Sequence, residues 1–195
     1  MFFELKILYS FYENPRAKTI WLLPIIACLW SNLHGGSAAL SYVLCGICLC
    51  VSTIKIENSR VEAKRKDRRT ILILSVVFIF TVCAILIKPV GVDVLIYPYA
   101  NLSDDLSMSF IKEWQAPDAK DIGQIIMYYF PIALLSIGFF TKKDKIRLWD
   151  IAIMVTFVFL FLRSIRFVIL WYIAAVFCAF RYISIIKVKP ITKTY

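Results

Sequence analysis

Apolar residues run in long blocks along this chain, and short, mostly basic stretches separate them. Six blocks stand out: 19–33 (TIWLLPIIACLWSNL), 37–54 (SAALSYVLCGICLCVSTI), 70–87 (TILILSVVFIFTVCAILI), 122–140 (IGQIIMYYFPIALLSIGFF), 148–162 and 167–186. Runs of this length and composition suit helices in a hydrocarbon core about 30 Å thick. The pattern predicts an all-α fold, a polytopic transmembrane helical bundle of about six spans.

Two reversals between blocks have to be inferred. A single helix over 19–54 would be roughly 54 Å long at 1.5 Å per residue, so the chain must turn at His34-Gly35-Gly36, where glycine supplies positive φ. Pro24 is expected as a tolerated kink in the first span. A helix over 148–186 would reach roughly 58 Å, yet no Gly or Pro marks a reversal near Arg163. A hairpin is still expected there.

Between the third and fourth blocks lies 88–121, which is neither continuously apolar nor basic and carries PVG, YPYANLSDD and IKEWQAPD. It reads as a cap at one membrane face. Ser103 is a candidate N-cap for a short amphipathic helix with Leu106, Phe110, Ile111 and Trp114 on its apolar stripe and Pro117 at its end. Trp114, Tyr97 and Tyr99 suit an interfacial aromatic belt, and Asn101-Leu102-Ser103 matches a glycosylation sequon. The segment 1–18 is too short to span; its first thirteen residues are apolar apart from a strip of Lys6, Ser10 and Glu13, and it reads as interfacial.

Composition agrees: 61% of residues are apolar and the mean hydropathy is +0.75. The net charge of +10 would suggest nucleic acid in a soluble chain. Here, however, Lys and Arg concentrate in the connectors 55–69 and 142–147 and in the C-terminal tail, as the positive-inside rule requires of cytoplasmic loops. In the six-span arrangement eighteen basic residues are cytoplasmic and five (Lys88, Lys112, Lys120, Arg163, Arg166) external. The expected location is therefore the cell membrane, with both termini cytoplasmic, and no nucleic-acid partner.

Candidate chemistry is sparse. Cys45, Cys48 and Cys50 form a CxxCxC string, but inside an apolar helix with no acidic or imidazole partner nearby; with Cys28, Cys83 and Cys178 they read as packing or lipid-facing residues, and no metal site is expected. No phosphate loop, nucleophile elbow or zinc-helix motif occurs, and no cofactor is implied. His34, the single histidine, sits beside Asn32, where capping a helix end competes with a functional role. Arg163 and Arg166 are three apart and would share a helical face. Snorkelling, or pairing with Glu113, Asp104 or Asp105, competes with a clamp for an anionic head group, with Lys88 and His34 as neighbours.

LPIIACLWSNLHGG, then KPVG with YPY, IKEWQAP and finally LRSIRFVILW occur in an order that resembles the C-terminal half of bacterial multi-pass proteins related to the GT-C glycosyltransferases, similar to polyprenyl-phosphate-sugar-dependent mannosyl- and arabinosyltransferases. The matching positions are Asn32, Leu33, His34, Gly35 and Gly36; Pro89 and Gly91; Glu113, Trp114 and Pro117; and Arg163, Arg166 and Phe167, and they reach from Trp21 to Trp171. The resemblance implies inverting sugar transfer from a polyprenyl phosphate at the external face, with Arg163, Arg166 and Lys88 as lipid-phosphate ligands. It also implies a catalytic acid in a first external loop, which has no counterpart in this chain.

Two function classes follow. One is a lipid-linked-sugar glycosyltransferase, minimal or completed by a separately encoded N-terminal half. The other is a non-catalytic truncated relative that binds a membrane lipid or a partner, or a remnant without activity. A transporter is disfavoured because the spans hold almost no ionisable residues for a midplane site.

Overall fold

The computed structural model describes residues 1–33, 39–57, 61–104, 109–141 and 146–183. Among these residues the fold is all-helical and contains no strand. The chain forms two compact units, Met1–Gln115 and Ala116–Tyr195.

In the first unit, α1 (Phe2–Glu13) is followed by a 3-10 turn (Lys18–Leu22) that runs directly into α2 (Leu23–Leu33). Helices α3 (Ala39–Glu57), α4 (Val61–Ile85) and α5 (Asp93–Ser103) complete it, with a second 3-10 turn at Lys112–Trp114. Helix α4 packs on both α2 and α3, α1 packs on α3 and the edge of α2, and α5 touches α3. Helix α1 ends where Pro15 forces Asn14 into extended backbone, at φ −131 and ψ 94. Glu4, Leu5, Leu8 and Phe11 form its buried face. The Lys55 ammonium, 4.6 Å above the Tyr12 ring, ties α1 to α3.

Several sequence expectations shift. Pro24 falls in the first turn of α2, where its missing N–H has no partner to lose, and marks the passage from 3-10 to α geometry rather than a mid-span kink. Helix α4 starts at Val61, so much of the basic connector is helical, as its Glu, Ala, Lys and Arg content permits. A helix that the sequence did not announce, α5, lies in the cap upstream of the expected one: Ser103 ends it, and its hydroxyl donates to the Ala100 carbonyl. Asp104 is extended, at φ −84 and ψ 97; the first turn of the expected cap helix lies outside the described residues, and Ser109 and Phe110 beyond it are helical. The turn into α5 uses Gly91 at φ +58, where glycine alone has no Cβ conflict.

The second unit holds α6 (Ile122–Thr141), α7 (Leu148–Arg163), a 3-10 turn (Ile165–Phe167) and α8 (Val168–Ile183). Asp121 starts α6: its Oδ1 accepts the N–H groups of Gly123 at 2.8 Å and Gln124 at 3.3 Å, and its Oδ2 accepts the Gln124 side chain at 2.9 Å. The Gln124 Oε1 in turn accepts the Asp118 N–H, a variant of the reciprocal capping box. Helix α8 packs against both α6 and α7. Its Ala174, Ala175 and Ala179 are buried, and such small residues permit close backbone approach of neighbouring helices.

The reversal near Arg163 exists and needs neither Gly nor Pro. Ser164 takes extended backbone, φ −159 and ψ 132, which any residue adopts. Its N–H still satisfies the Leu160 and Phe161 carbonyls, and its own carbonyl accepts the Phe167 N–H at 3.1 Å, opening the next turn.

Five of the apolar blocks thus match their helices closely and α4 begins nine residues ahead of its block, but length restrains the membrane reading. Among the described residues, one helical segment, Arg68–Ile85, is long and apolar enough to cross a bilayer, with a mean hydropathy of 2.0. Lys18–Leu33, Ala39–Lys55, Ile122–Ser136 and Ile165–Phe180 are apolar but shorter.

Candidate functional site

Three polar loci and one apolar groove are built into the two units. The first locus stitches the C-terminal end of α2 to the end of α4. Ser31 Oγ donates to the Ile85 carbonyl at 3.2 Å, and Asn32 Nδ2 donates to the Ile87 carbonyl at 3.3 Å and to Cys28 O at 2.8 Å. The Lys88 ammonium donates to Ser31 O at 3.1 Å. Helix C-termini leave carbonyls unpaired and carry partial negative charge, so a lysine here stabilises the end of α2. Asn32 and Lys88 therefore meet as a helix-end clasp within the first unit. Beneath them, Ala27, Ile85 and Val94 form a small buried cluster flanked by Tyr42, Leu86 and Leu95.

The neighbouring His34, Gly35 and Gly36 lie outside the described residues, as do Asp105 and Leu106, and so do the side chains of Tyr97, Tyr99 and Asn101. Glu113 is exposed and Trp114 half-buried in the 3-10 turn Lys112–Trp114.

Arg163 and Arg166 stand together at the α7–α8 hairpin tip, but not on one helical face. Arg163 closes α7 and Arg166 lies in the following 3-10 turn, with extended Ser164 between them. Both side chains are exposed. The expected three-residue helical register fails because the chain reverses between the two residues.

The second locus was not legible as a site in the sequence. Glu4 is fully buried between α1 and α3, and its Oε1 accepts the Ser41 hydroxyl at 2.5 Å. Its Oε2 lies 3.3 Å from the chain's amino group, without hydrogen-bond geometry. Burial pushes this carboxyl above the usual carboxylate range, against the Ser41 hydrogen bond and the amino group, which pull it down. A signal existed: Glu4 shares the i, i+4, i+7 face of Leu8 and Phe11, opposite the Lys6, Ser10 and Glu13 strip.

The third locus is Asp150, also fully buried, in the first turn of α7, where the Cys178 thiol of α8 donates to its Oδ1 at 3.8 Å. Asp150 shares its helix face with Ile153, Phe157 and Phe161. Neither carboxyl stands mid-helix in an expected span: Glu4 belongs to the segment ahead of the first apolar block, and Asp150 to the first turn of α7. Of the cysteines, Cys45, Cys48 and Cys178 are buried, Cys28 is half-buried, and Cys50 and Cys83 are exposed. Among the described residues, no three His, Cys, Asp or Glu side chains converge as a metal site would require.

The groove lies within the second unit. It encloses about 440 Å³ and is lined by Leu135 and Ser136 of α6, Met154, Val158 and Leu162 of α7, and Trp171 of α8. Its lining is almost wholly apolar, because the Ser136 hydroxyl is already bonded to the Ile132 carbonyl at 2.8 Å. The buried Trp171 indole N–H has no hydrogen-bond acceptor among the described residues. The groove lining is apolar, and the hairpin tip carries two exposed guanidinium groups. No family model, curated protein or solved structure matches the chain.

Proposed function

We propose that this chain is a multi-pass protein of the cell membrane, with about six spans, both termini cytoplasmic and the 88–121 cap external. We further propose that it binds a polyprenyl phosphate or polyprenyl-phosphate sugar at the external face through Arg163 and Arg166. The observation that carries the lipid-phosphate reading is the pair of exposed guanidinium groups at the α7–α8 tip, directly beside helices clad in apolar side chains. Large exposed apolar residues such as Leu72 (64%), Phe159 (68%) and Phe180 (64%) favour a hydrocarbon surrounding over water. Helices shorter than a full span are accommodated by local bilayer thinning and interfacial anchoring. Guanidinium presents paired N–H donors to a phosphate, and these charge-assisted bonds strengthen as water is excluded.

In this reading, Lys88 stabilises the end of α2 and the lipid-phosphate set contracts to the two arginines. On the same reading, transferase activity awaits a separately encoded partner that supplies the catalytic acid. The second reading, a non-catalytic relative that only binds lipid, is favoured by the commitment of Glu4 and Asp150 to helix packing. Binding of a polyprenyl phosphate to purified protein in lipid nanodiscs tests the proposal. Changing Arg163 and Arg166 together to Gln is expected to weaken binding by tenfold or more, given about 1 kcal/mol per cation near a membrane surface. Equal binding by parent and variant sinks the proposal. Sugar transfer only after a neighbouring gene product is added would favour the split enzyme.

A further inference from the structure

We propose that the groove between α6, α7 and α8 holds one acyl chain of an anionic glycerophospholipid, whose phosphate rests at Arg163 and Arg166. The proposal rests on the reading that these helices lie in a bilayer, and it names the resident lipid that occupies the arginine pair until the ligand proposed above displaces it.

Three features select this occupant. Charge complementarity comes first: Leu162 lines the groove and Arg163 follows it at once, while Trp171 lies in the first turn of α8, just beyond Arg166. The open end of a hydrocarbon slot is therefore marked by two exposed cations, which suits an amphiphile with an anionic head and not an apolar peptide helix.

Length comes second. From Met154 to Leu162 the groove follows α7 for roughly 12 Å at 1.5 Å per residue, close to the ~15 Å depth of one leaflet. An acyl chain fills such a slot, whereas a polyprenyl chain of many isoprene units would overrun it. Access comes third: Val155 is 64% exposed and Leu162 48% exposed along one edge, so a lipid enters sideways from the bilayer without unfolding any helix.

The test uses the intact protein in vesicles, with tryptophan fluorescence as readout. Trp21, Trp30, Trp114 and Trp149 are changed to Phe, so that Trp171 reports alone. Phosphatidylglycerol with brominated acyl chains is compared with phosphatidylcholine carrying the same chains. Quenching by the anionic lipid is expected to show an apparent affinity at least about fivefold higher, on a scale of roughly fivefold per arginine. Arg163→Gln with Arg166→Gln is expected to erase that preference, and Val158→Phe, which fills the slot without adding a tryptophan, to reduce quenching by both lipids.

Leu162→Phe narrows the opening at a half-exposed position and serves where Val158→Phe fails to fold. Native mass spectrometry of the protein with all its tryptophans, in mild detergent, gives a second reading: phosphatidylglycerol is retained by the parent and lost from the filled variant. Equal quenching by the two lipids, or quenching unchanged by filling the slot, overturns the proposal. If filling the slot also abolishes polyprenyl-phosphate binding, the groove belongs to that ligand's chain and the phospholipid proposal falls. If polyprenyl phosphate never binds the parent while phosphatidylglycerol behaves as expected, the functional reading fails and the resident lipid stands.

Discussion

Glu4 joins α1 to α3 through a carboxyl that water does not reach, so its protonation is coupled to the docking of the first helix. Its native pKa is raised by desolvation, and the folded state therefore holds a proton that the unfolded chain has already released. Stability is then greatest below the ordinary carboxylate pKa and declines as pH rises through the raised native value. The loss amounts to about 1.4 kcal/mol for each unit separating the two values. Glu4→Gln keeps an acceptor for Ser41 without the charge, and its melting temperature in detergent is expected to vary less between pH 4 and 8 than the parent's. Identical pH slopes would show that the carboxyl is hydrated after all. The carboxyl was readable as the one acid on an apolar helix face, but its partner Ser41 lies thirty-seven residues away and could not be read. Lys88 is similar: its charge pointed to an external anion, and only the fold turned it onto a carbonyl fifty-seven residues upstream.

Individual helices take their limits from local chemistry. Pro15 stops α1, Pro24 opens α2, and Asp121 with Gln124 caps α6. Asp121 provides a direct test. Asp121→Ala leaves the first N–H groups of α6 without their acceptor, at about 1 kcal/mol, and is expected to lower the melting temperature by about 2–4 °C. Asp121→Asn, still an acceptor at this position, is expected to retain most of the parent's stability. A melting temperature unchanged by Ala would mean that α6 starts elsewhere. Ser164 shows the opposite case. No residue type announced the α7–α8 reversal, because an extended backbone at one position suffices and the Arg163–Phe167 stretch supplies no breaker. Helix α5 went unread for a related reason: its Val94 packs against Ala27, sixty-seven residues upstream.

For the whole molecule, the prediction concerns orientation. With eighteen basic residues on one side of the proposed arrangement and five on the other, a reporter active only outside the cytoplasm is expected to be active when fused at Asp105 and silent at Lys64. The reverse result would invert the topology and place the Arg163–Arg166 tip inside. Sequence by itself determined the all-helical class, five of the six helical blocks nearly to their ends, and the two arginines beside an apolar run. These depend on composition, periodicity and breakers within a few residues of one another. Tertiary structure alone decided that Glu4 and Asp150 are buried, that Lys88 closes α2, that Arg163 and Arg166 flank a chain reversal, and that three helices leave a hydrocarbon groove. Each of these depends on which distant side chain fills the space opposite, and on whether a polar group finds a partner there when water is removed.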